Sequence, residues 1–163
     1  MSARYNVLFL CTGNSARSIM AEAILRHKGR PTFAAFSAGS HPTGYVNPHA
    51  IRQLQEAHLD AEGLYSKSWD EFSKADAPPL NFVFTVCDKA AAEVCPYWPG
   101  QPMTAHWGIP DPVAVQGAPD EIDRAFKQAF ATLDRRIGLF LCLPIATLDQ
   151  FALRKELDEI GHK

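Results

Sequence analysis

The chain has 163 residues, of which 47% are hydrophobic and 21% are charged, and its formal net charge is −2 at pH 7. These values predict a single globular domain over residues 1–163, with enough apolar side chains for a sizeable core. A slightly negative chain does not attract nucleic acid or acidic lipid as a whole, so any anion site must be local.

The first apolar run, Val7–Cys11, is too short for the core of a signal peptide, and a membrane span takes about 20 apolar residues. We therefore expect no membrane association and a cytoplasmic location. Reducing conditions there favour chemistry or plain core packing for the four cysteines over structural disulfides.

Four apolar segments predict short buried strands, and helical patterns lie between and after them. This alternation predicts a parallel sheet covered on both faces. The predicted strands are Val7–Leu10, Phe33–Phe36, Asn81–Val86 and Met103–Trp107. The predicted helices run from the loop after Cys11 to about His27, from Pro48 with Asn47 as N-cap, from about Pro119, and from roughly Thr147 to Ile160, ended by Gly161.

Three segments that carry reactive side chains directly follow predicted strands. They are Cys11, Cys87 and the loop Trp107–Asp111. Ligands of parallel α/β sheets bind beyond the carboxyl ends of the strands. We therefore expect these segments to meet at one edge of the sheet.

The stretch "CTGNSARS" delivers a cysteine from a strand to a loop of small residues that leads at once into a helix. Backbone N–H groups in such a loop form an anion-binding nest, which the helix N-terminus reinforces. Arg17 adds a planar fork for two oxygens of a tetrahedral oxyanion. The predicted oxyanion-binding residues are Thr12, Gly13, Asn14, Ser15, Ala16, Arg17 and Ser18.

The same positive surroundings predict a reactive thiol at Cys11. Cysteines in such positions have pKa values near 4–7 instead of about 8.5, which supplies a nucleophile at neutral pH. Ser18 is in reach to donate a hydrogen bond to the thiolate, and Asn14 tolerates the left-handed conformation of a tight loop. A nucleophile that displaces an oxygen needs a proton donor, and Asp111 in "HWGIPDPV" is the candidate.

The pairing of "CTGNSARS" after the first strand with a late "DP" loop resembles the low-molecular-weight tyrosine phosphatase family over nearly the whole chain. "FSAG", at residues 36–39, also resembles the end of that family's second strand. The resemblance implies a three-layer α/β fold, a four-stranded parallel sheet flanked by helices, with Cys11 as nucleophile, Arg17 as oxyanion clamp and Asp111 as general acid. The segment "LPIATLDQFALRKELDEIG" adds an extra C-terminal helix, for packing or for a dimer contact.

Two departures from the phosphatase pattern favour a reductase. Val113 stands where these phosphatases usually carry an aromatic residue, and "CDKAAAEVC" holds Cys87 and Cys95, which hydrolysis does not need. With "HWGIPDP", this segment resembles the thioredoxin-coupled arsenate reductases built on the same fold. The resemblance implies that Cys11 attacks arsenate, Asp111 protonates the departing oxygen, Cys87 attacks Cys11 to release arsenite, and Cys95 then attacks Cys87.

Three functions remain open at this point: arsenate reduction, hydrolysis of phosphotyrosine or small phosphomonoesters through a phosphocysteine, and oxyanion binding without turnover. We expect no tightly bound cofactor. A reductase would use an external thiol, either thioredoxin or glutaredoxin with glutathione.

The remaining candidate ligands and cysteines are assigned to structure. We expect no metal site, because Cys87, Cys95 and His106 lack a recognisable zinc-ligand spacing. His106 is predicted to support the site, and Cys142, within "LFLCLP", is predicted to lie in the core.

Overall fold

The structure is a computed structural model that describes residues 4–88, 90, 98 and 101–163. The described residues form four strands and four α-helices. The strands are β1 (Tyr5–Cys11), β2 (Phe33–Gly39), β3 (Phe82–Thr85) and β4 (Met103–His106). The helices are α1 (Arg17–Lys28), α2 (Pro48–Glu56), α3 (Pro119–Leu141) and α4 (Gln150–Ile160), and two 3-10 turns span Trp69–Phe72 and Pro112–Ala114.

The strands form one parallel sheet in the order β2-β1-β3-β4, so the predicted parallel sheet is confirmed. β1 lies in the centre because its run of apolar residues is buried on both faces. The register sets Cys11 at the end of β1 opposite Gly39 at the end of β2. The first nucleophile candidate therefore leaves the sheet at its carboxyl edge.

Two apolar clusters cover the two faces of the sheet. The larger one contains residues of all four helices, including Phe126 and Phe140 of α3, around Phe84 and Trp107. The smaller one packs Phe72 of the first 3-10 turn against Leu8 and other side chains of the opposite face. None of the described helices offers the long apolar stretch that crossing a membrane requires.

Most predicted helix boundaries are confirmed, but the last one was placed too early. Asn47 caps α2 as expected, and its side chain accepts a hydrogen bond from the His49 N–H at 2.8 Å. α4 starts at Gln150 instead of Thr147, because the Asp149 side chain accepts a hydrogen bond from the Ala152 N–H and fixes the first turn there.

The prediction that Cys142 lies in the core is wrong. Cys142 is exposed and forms the C-cap of α3. The buried face of α3 ends at Phe140. A residue two positions further along points about 200° away from that face, since a helix turns by about 100° per residue.

Candidate oxyanion site

A cavity of about 520 Å³ lies at the carboxyl edge of the sheet. The loop after β1, the end of β3 and the loop after β4 all contribute to its wall, so the expectation that these segments meet is confirmed. The described lining residues are Cys11, Thr12, Gly13, Asn14, Ser15, Ala16, Arg17, Thr43, Cys87, Asp88, Ile109, Pro110, Asp111 and Val113.

The loop between β1 and α1 is held by backbone bonds to residues 41–47. Three of its carbonyl oxygens accept N–H bonds from that segment, at 2.8–3.0 Å: Thr12 from His41, Gly13 from Thr43, and Ser15 from Asn47. Because a peptide unit is planar and trans, each following N–H points in the opposite direction from its carbonyl. This leaves loop N–H groups directed away from residues 41–47, as an anion nest requires.

Gly39 gives the loop room to sit against the end of β2. A Cβ atom at this position would collide with the carbonyl oxygen of Thr12 and lie 2.9 Å from that of Cys11. Only glycine therefore allows β2 to approach the loop this closely.

Asn14 anchors the loop from inside. It is fully buried and has a left-handed backbone with φ of 46°. Its amide nitrogen donates to the hydroxyls of Ser18 at 2.8 Å and Ser37 at 3.0 Å, while its amide oxygen accepts from the Lys67 N–H at 2.9 Å. The predicted left-handed position is confirmed. The proposed Ser18 hydrogen bond to the Cys11 thiolate stays a prediction.

This network extends to a buried charge pair that sequence reasoning missed. Ser37 donates to Glu22 at 2.5 Å, and the Lys67 ammonium lies 3.7 Å from the same carboxylate oxygen. Burial lowers the pKa of Lys67, and the Glu22 charge opposes that shift. Glu22 leaves a sequence signal, as an acid on the buried face of α1, whereas Lys67 lies in a polar stretch and leaves none.

Arg17 connects the loop with the candidate acid. Its side chain is 11% exposed, and one terminal nitrogen donates to the carbonyl oxygen of Ile109 at 2.9 Å. The other terminal nitrogen lies 3.5 Å from Asp111 Oδ1. Asp111 is 41% exposed, and the same carboxylate oxygen accepts the Val113 N–H at 3.0 Å. The structure thus brings the predicted clamp and the predicted acid together.

The thiols of Cys11 and Cys87 are buried and both line the cavity. The interaction with Cys11 lowers the pKa of Cys87 to about 5, against the effect of burial, and the Thr12 hydroxyl and the Ala90 N–H assist. The Cys87 contact and burial raise the pKa of Cys11, and the Arg17 charge opposes this rise.

The sequence prediction of a lowered pKa at Cys11 is therefore wrong for the reduced pair. Sequence reasoning weighed the positive loop but not a second thiol in contact with the first. Two thiols this close titrate as a unit. Once one of them has lost its proton, its negative charge raises the pKa of the other. The interaction therefore favours the thiolate on Cys87 over the thiolate on Cys11.

His106 supports the segment around Cys87, in the structural role predicted for it. Its ring nitrogens lie 2.8 Å from the Thr85 hydroxyl and 2.7 Å from Asp88 Oδ1. Among the described residues no group of three His, Cys, Asp or Glu side chains is placed to hold a metal ion. Cys95, predicted as the second relay thiol, lies outside the described residues.

The sequence model of the low molecular weight phosphotyrosine protein phosphatases matches residues 6–156 of the chain. The chain therefore belongs to this family, as the resemblance of its motifs implied. It is 35% identical to an arsenate reductase of Halalkalibacterium halodurans over 136 residues, which cover 82% of this chain and 93% of that protein.

Two solved structures are also similar. An arsenate reductase in a phosphate-binding state is 26% identical, with a TM-score of 0.63, over 82% of this chain and 97% of that one. A thioredoxin-dependent arsenate reductase of Corynebacterium glutamicum is 21% identical, with a TM-score of 0.60, over 86% of this chain. The present chain spans 63% of the length of that protein, and at this identity the likeness shows the fold alone.

Proposed function

We propose that the chain reduces arsenate to arsenite through a Cys11 adduct and a thiol relay. The observation that carries the proposal is that Cys11, Cys87 and Arg17 line the same oxyanion cavity. Reduction of As(V) to As(III) takes two electrons, and two thiols supply two electrons when they become a disulfide. The arsenate reductases among its relatives support the same assignment.

In the first step Cys11 attacks arsenate, which the loop N–H groups and Arg17 bind. The proton of Cys11 passes to the neighbouring thiolate of Cys87, so that the Cys11 sulfur attacks as a thiolate. Asp111 gives a proton to the departing oxygen, which leaves as water. The product is a covalent adduct with a bond between the Cys11 sulfur and As(V).

In the second step Cys87, again deprotonated, attacks the Cys11 sulfur. The S–As bond breaks and its electron pair stays on arsenic, so arsenite leaves and a Cys11–Cys87 disulfide forms. The Thr12 hydroxyl, the Ala90 N–H and the Arg17 charge all lower the pKa of Cys87 without help from Cys11. These groups keep Cys87 reactive after Cys11 has been consumed.

In the third step Cys95 attacks Cys87, which frees Cys11 and transfers the disulfide toward the surface. An external dithiol of the thioredoxin type, or glutaredoxin with glutathione, then reduces it in the cytoplasm. This assignment rests on the spacing of Cys87 and Cys95 in the sequence and on the thioredoxin dependence of a protein with the same fold.

Phosphatase activity is the second candidate, because the Cys11, Arg17 and Asp111 constellation also fits transfer of a phosphoryl group to sulfur. The described lining of the cavity contains no aromatic side chain, and Val113 at its mouth is 47% exposed. Such a mouth offers a phosphotyrosine ring little to stack on. Small or weakly held phosphomonoesters are therefore the expected substrates of this side activity.

The deciding experiment measures arsenate-dependent NADPH oxidation with thioredoxin and thioredoxin reductase, beside hydrolysis of an aryl phosphate by the same preparation. We expect multiple turnovers with arsenate. Aryl phosphate hydrolysis without arsenate turnover, whether thioredoxin or glutaredoxin with glutathione is the reductant, would refute the reductase proposal and favour the phosphatase.

A further inference from the structure

Two backbone N–H groups of the segment between β4 and Asp111 form hydrogen bonds with β3 and the residue that follows it. Trp107 N–H donates to the Thr85 carbonyl at 2.7 Å, and Ile109 N–H donates to the Val86 carbonyl at 3.2 Å. These bonds continue the pairing of β3 and β4 beyond the end of the sheet. They hold one side of the loop and leave its carbonyl groups to other partners.

Two buried arginines bind the three consecutive carbonyl groups of residues 107–109. Arg17 takes that of Ile109, as described above. Arg136 of α3 approaches from the core, and one of its terminal nitrogens donates to Trp107 O at 2.8 Å and to Gly108 O at 3.2 Å. The sheet therefore holds the N–H groups of Trp107 and Ile109, and the two guanidinium groups hold the carbonyl groups of residues 107–109.

Burial of the Arg136 guanidinium at this position is unfavourable for the stability of the fold. It is 7% exposed, its Nε has no hydrogen-bond partner among the residues that the structure describes, and burial lowers its pKa. No carboxylate of the described residues is paired with it. A buried guanidinium without a counter-charge destabilises a fold relative to an apolar side chain of similar length. Its packing alone would be served better by a methionine.

We propose that Arg136 is a positioning residue for Asp111, which it serves by fixing the carbonyl groups of Trp107 and Gly108. The inference rests on the proposed role of Asp111 as general acid. Pro110 and Pro112 restrict the backbone on both sides of Asp111, so the loop moves as a stiff unit and its anchor sets where the carboxyl group lies. A displacement of about 1 Å at a reacting group lowers a rate by about 10²-fold.

The first test needs no activity. Hydrogen exchange of the backbone N–H groups in residues 107–113 is measured for wild type, Arg136→Lys and Arg136→Met, with Arg124→Met, an exposed position on the same helix, as control. We expect exchange in residues 107–113 to be faster by about tenfold or more in the Arg136 variants and unchanged in β1. Wild-type exchange rates in this loop would overturn the proposal, and Arg136→Lys alone decides if Arg136→Met does not fold.

The second test separates positioning from general stability. Single-turnover attack is followed with one aryl phosphate that has a poor leaving group and one that has a good leaving group. Arg136→Lys should slow the poor leaving group by about 10- to 100-fold more than the good one. In an Asp111→Asn background the same change should have no further effect on this ratio.

Equal losses for both aryl phosphates, or an undiminished effect in the Asp111→Asn background, would show that Arg136 does not act through Asp111. Absence of arsenate turnover in wild type, with the leaving-group effect intact, would refute the proposed reductase function and leave the role of Arg136 standing. The exchange measurement decides the positioning proposal even where neither substrate is consumed.

Discussion

The two loops that meet in the cavity are held by different means. Besides its backbone bonds to residues 41–47, the oxyanion loop is anchored from inside by the fully buried Asn14 and its side-chain partners. The Asp111 loop is held through its backbone groups and leaves the carboxylate 41% exposed. An anion nest works best when it does not move. A general acid must regain its proton from solvent after each turnover, so it needs both a fixed position and access to water.

Replacing the nucleophile should have the largest effect. Cys11→Ser keeps the loop but exchanges the thiol for a hydroxyl that does not ionise near neutral pH, so we expect no arsenate reduction and no aryl phosphate hydrolysis. Both activities are assayed on protein whose circular dichroism matches wild type. Substantial turnover by folded Cys11→Ser would show that Cys11 is not the nucleophile. The oxyanion loop would then not serve the reaction as proposed.

Cys87→Ser should distinguish arsenate reduction from phosphatase activity. We expect catalytic arsenate reduction to stop, because no second thiol remains to expel arsenite, and aryl phosphate hydrolysis to continue. Contact with Cys87 is the largest cause of the raised pKa of Cys11. The acid limb of the hydrolysis profile should therefore move to lower pH in the variant.

Cys142→Ser is the matched control for this experiment, since Cys142 is exposed and lies outside the cavity. It should leave both activities unchanged. Arsenate turnover that survives in Cys87→Ser would contradict the relay and support the phosphatase.

Asp111→Asn tests whether the second loop of the cavity supplies the general acid. The amide keeps the shape of the side chain but has no transferable acid proton, and general acid catalysis contributes ~10²–10⁴-fold. The loss should approach this range for a phosphate ester with a poor leaving group and be much smaller for an activated aryl phosphate. Equal and small losses in single-turnover kinetics would mean that Asp111 only braces the turn through its bond to the Val113 N–H.

Asn14→Ala tests the buried anchor of the oxyanion loop. It leaves the Lys67 N–H without its partner and places alanine in a left-handed backbone, so we expect the free energy of unfolding to fall by about 3 kcal/mol. His58→Ala is the matched control, because His58 also has a positive φ, of 60°, but is exposed. The control should lose about 1 kcal/mol. Similar losses of unfolding free energy in both variants, measured by urea unfolding, would show that the hydrogen bonds of Asn14 contribute nothing to stability.

The cysteine pair, which lies between the two loops, should make stability depend on pH. The pKa of Cys87 is lowered to about 5 from an ordinary value of 9.0, so between these values the unfolded chain binds a proton that the folded chain has lost. The free energy of unfolding then rises with pH, by at most about 1.4 kcal/mol per pH unit. Above pH 9 the raised pKa of Cys11 reverses the sign, since the folded chain keeps a proton that the unfolded chain loses.

This pH dependence is measured by urea unfolding in reductant at pH 6 and pH 8, for wild type and Cys87→Ala. Subtracting the variant removes the contribution of histidines, which both proteins share. A pH dependence that is the same in the two proteins would mean that the thiols do not share a proton.

The strands, most helix boundaries and the place of the oxyanion loop could be predicted from the sequence, because each has a local cause. Continuous apolar runs predict buried parallel strands, and Asn47 with Pro48 predicts the start of α2. Cys11 and Arg17 lie on one continuous stretch, so the strand, the loop and the helix place them by themselves. The boundary of α4 was missed because Asp149 was not recognised as its cap.

Tertiary structure decided what depends on residues far apart in the chain. The proton of Cys11 is governed by Cys87, which β3 brings beside it, and the loop of Asp111 is held by Arg136, which α3 brings under it. Electrostatic interactions and hydrogen bonds act over a few ångströms whatever the separation in sequence. The sequence alone therefore determined which candidate groups the site contains, while the packing of β3 and α3 against the loops decided their surroundings and their positions.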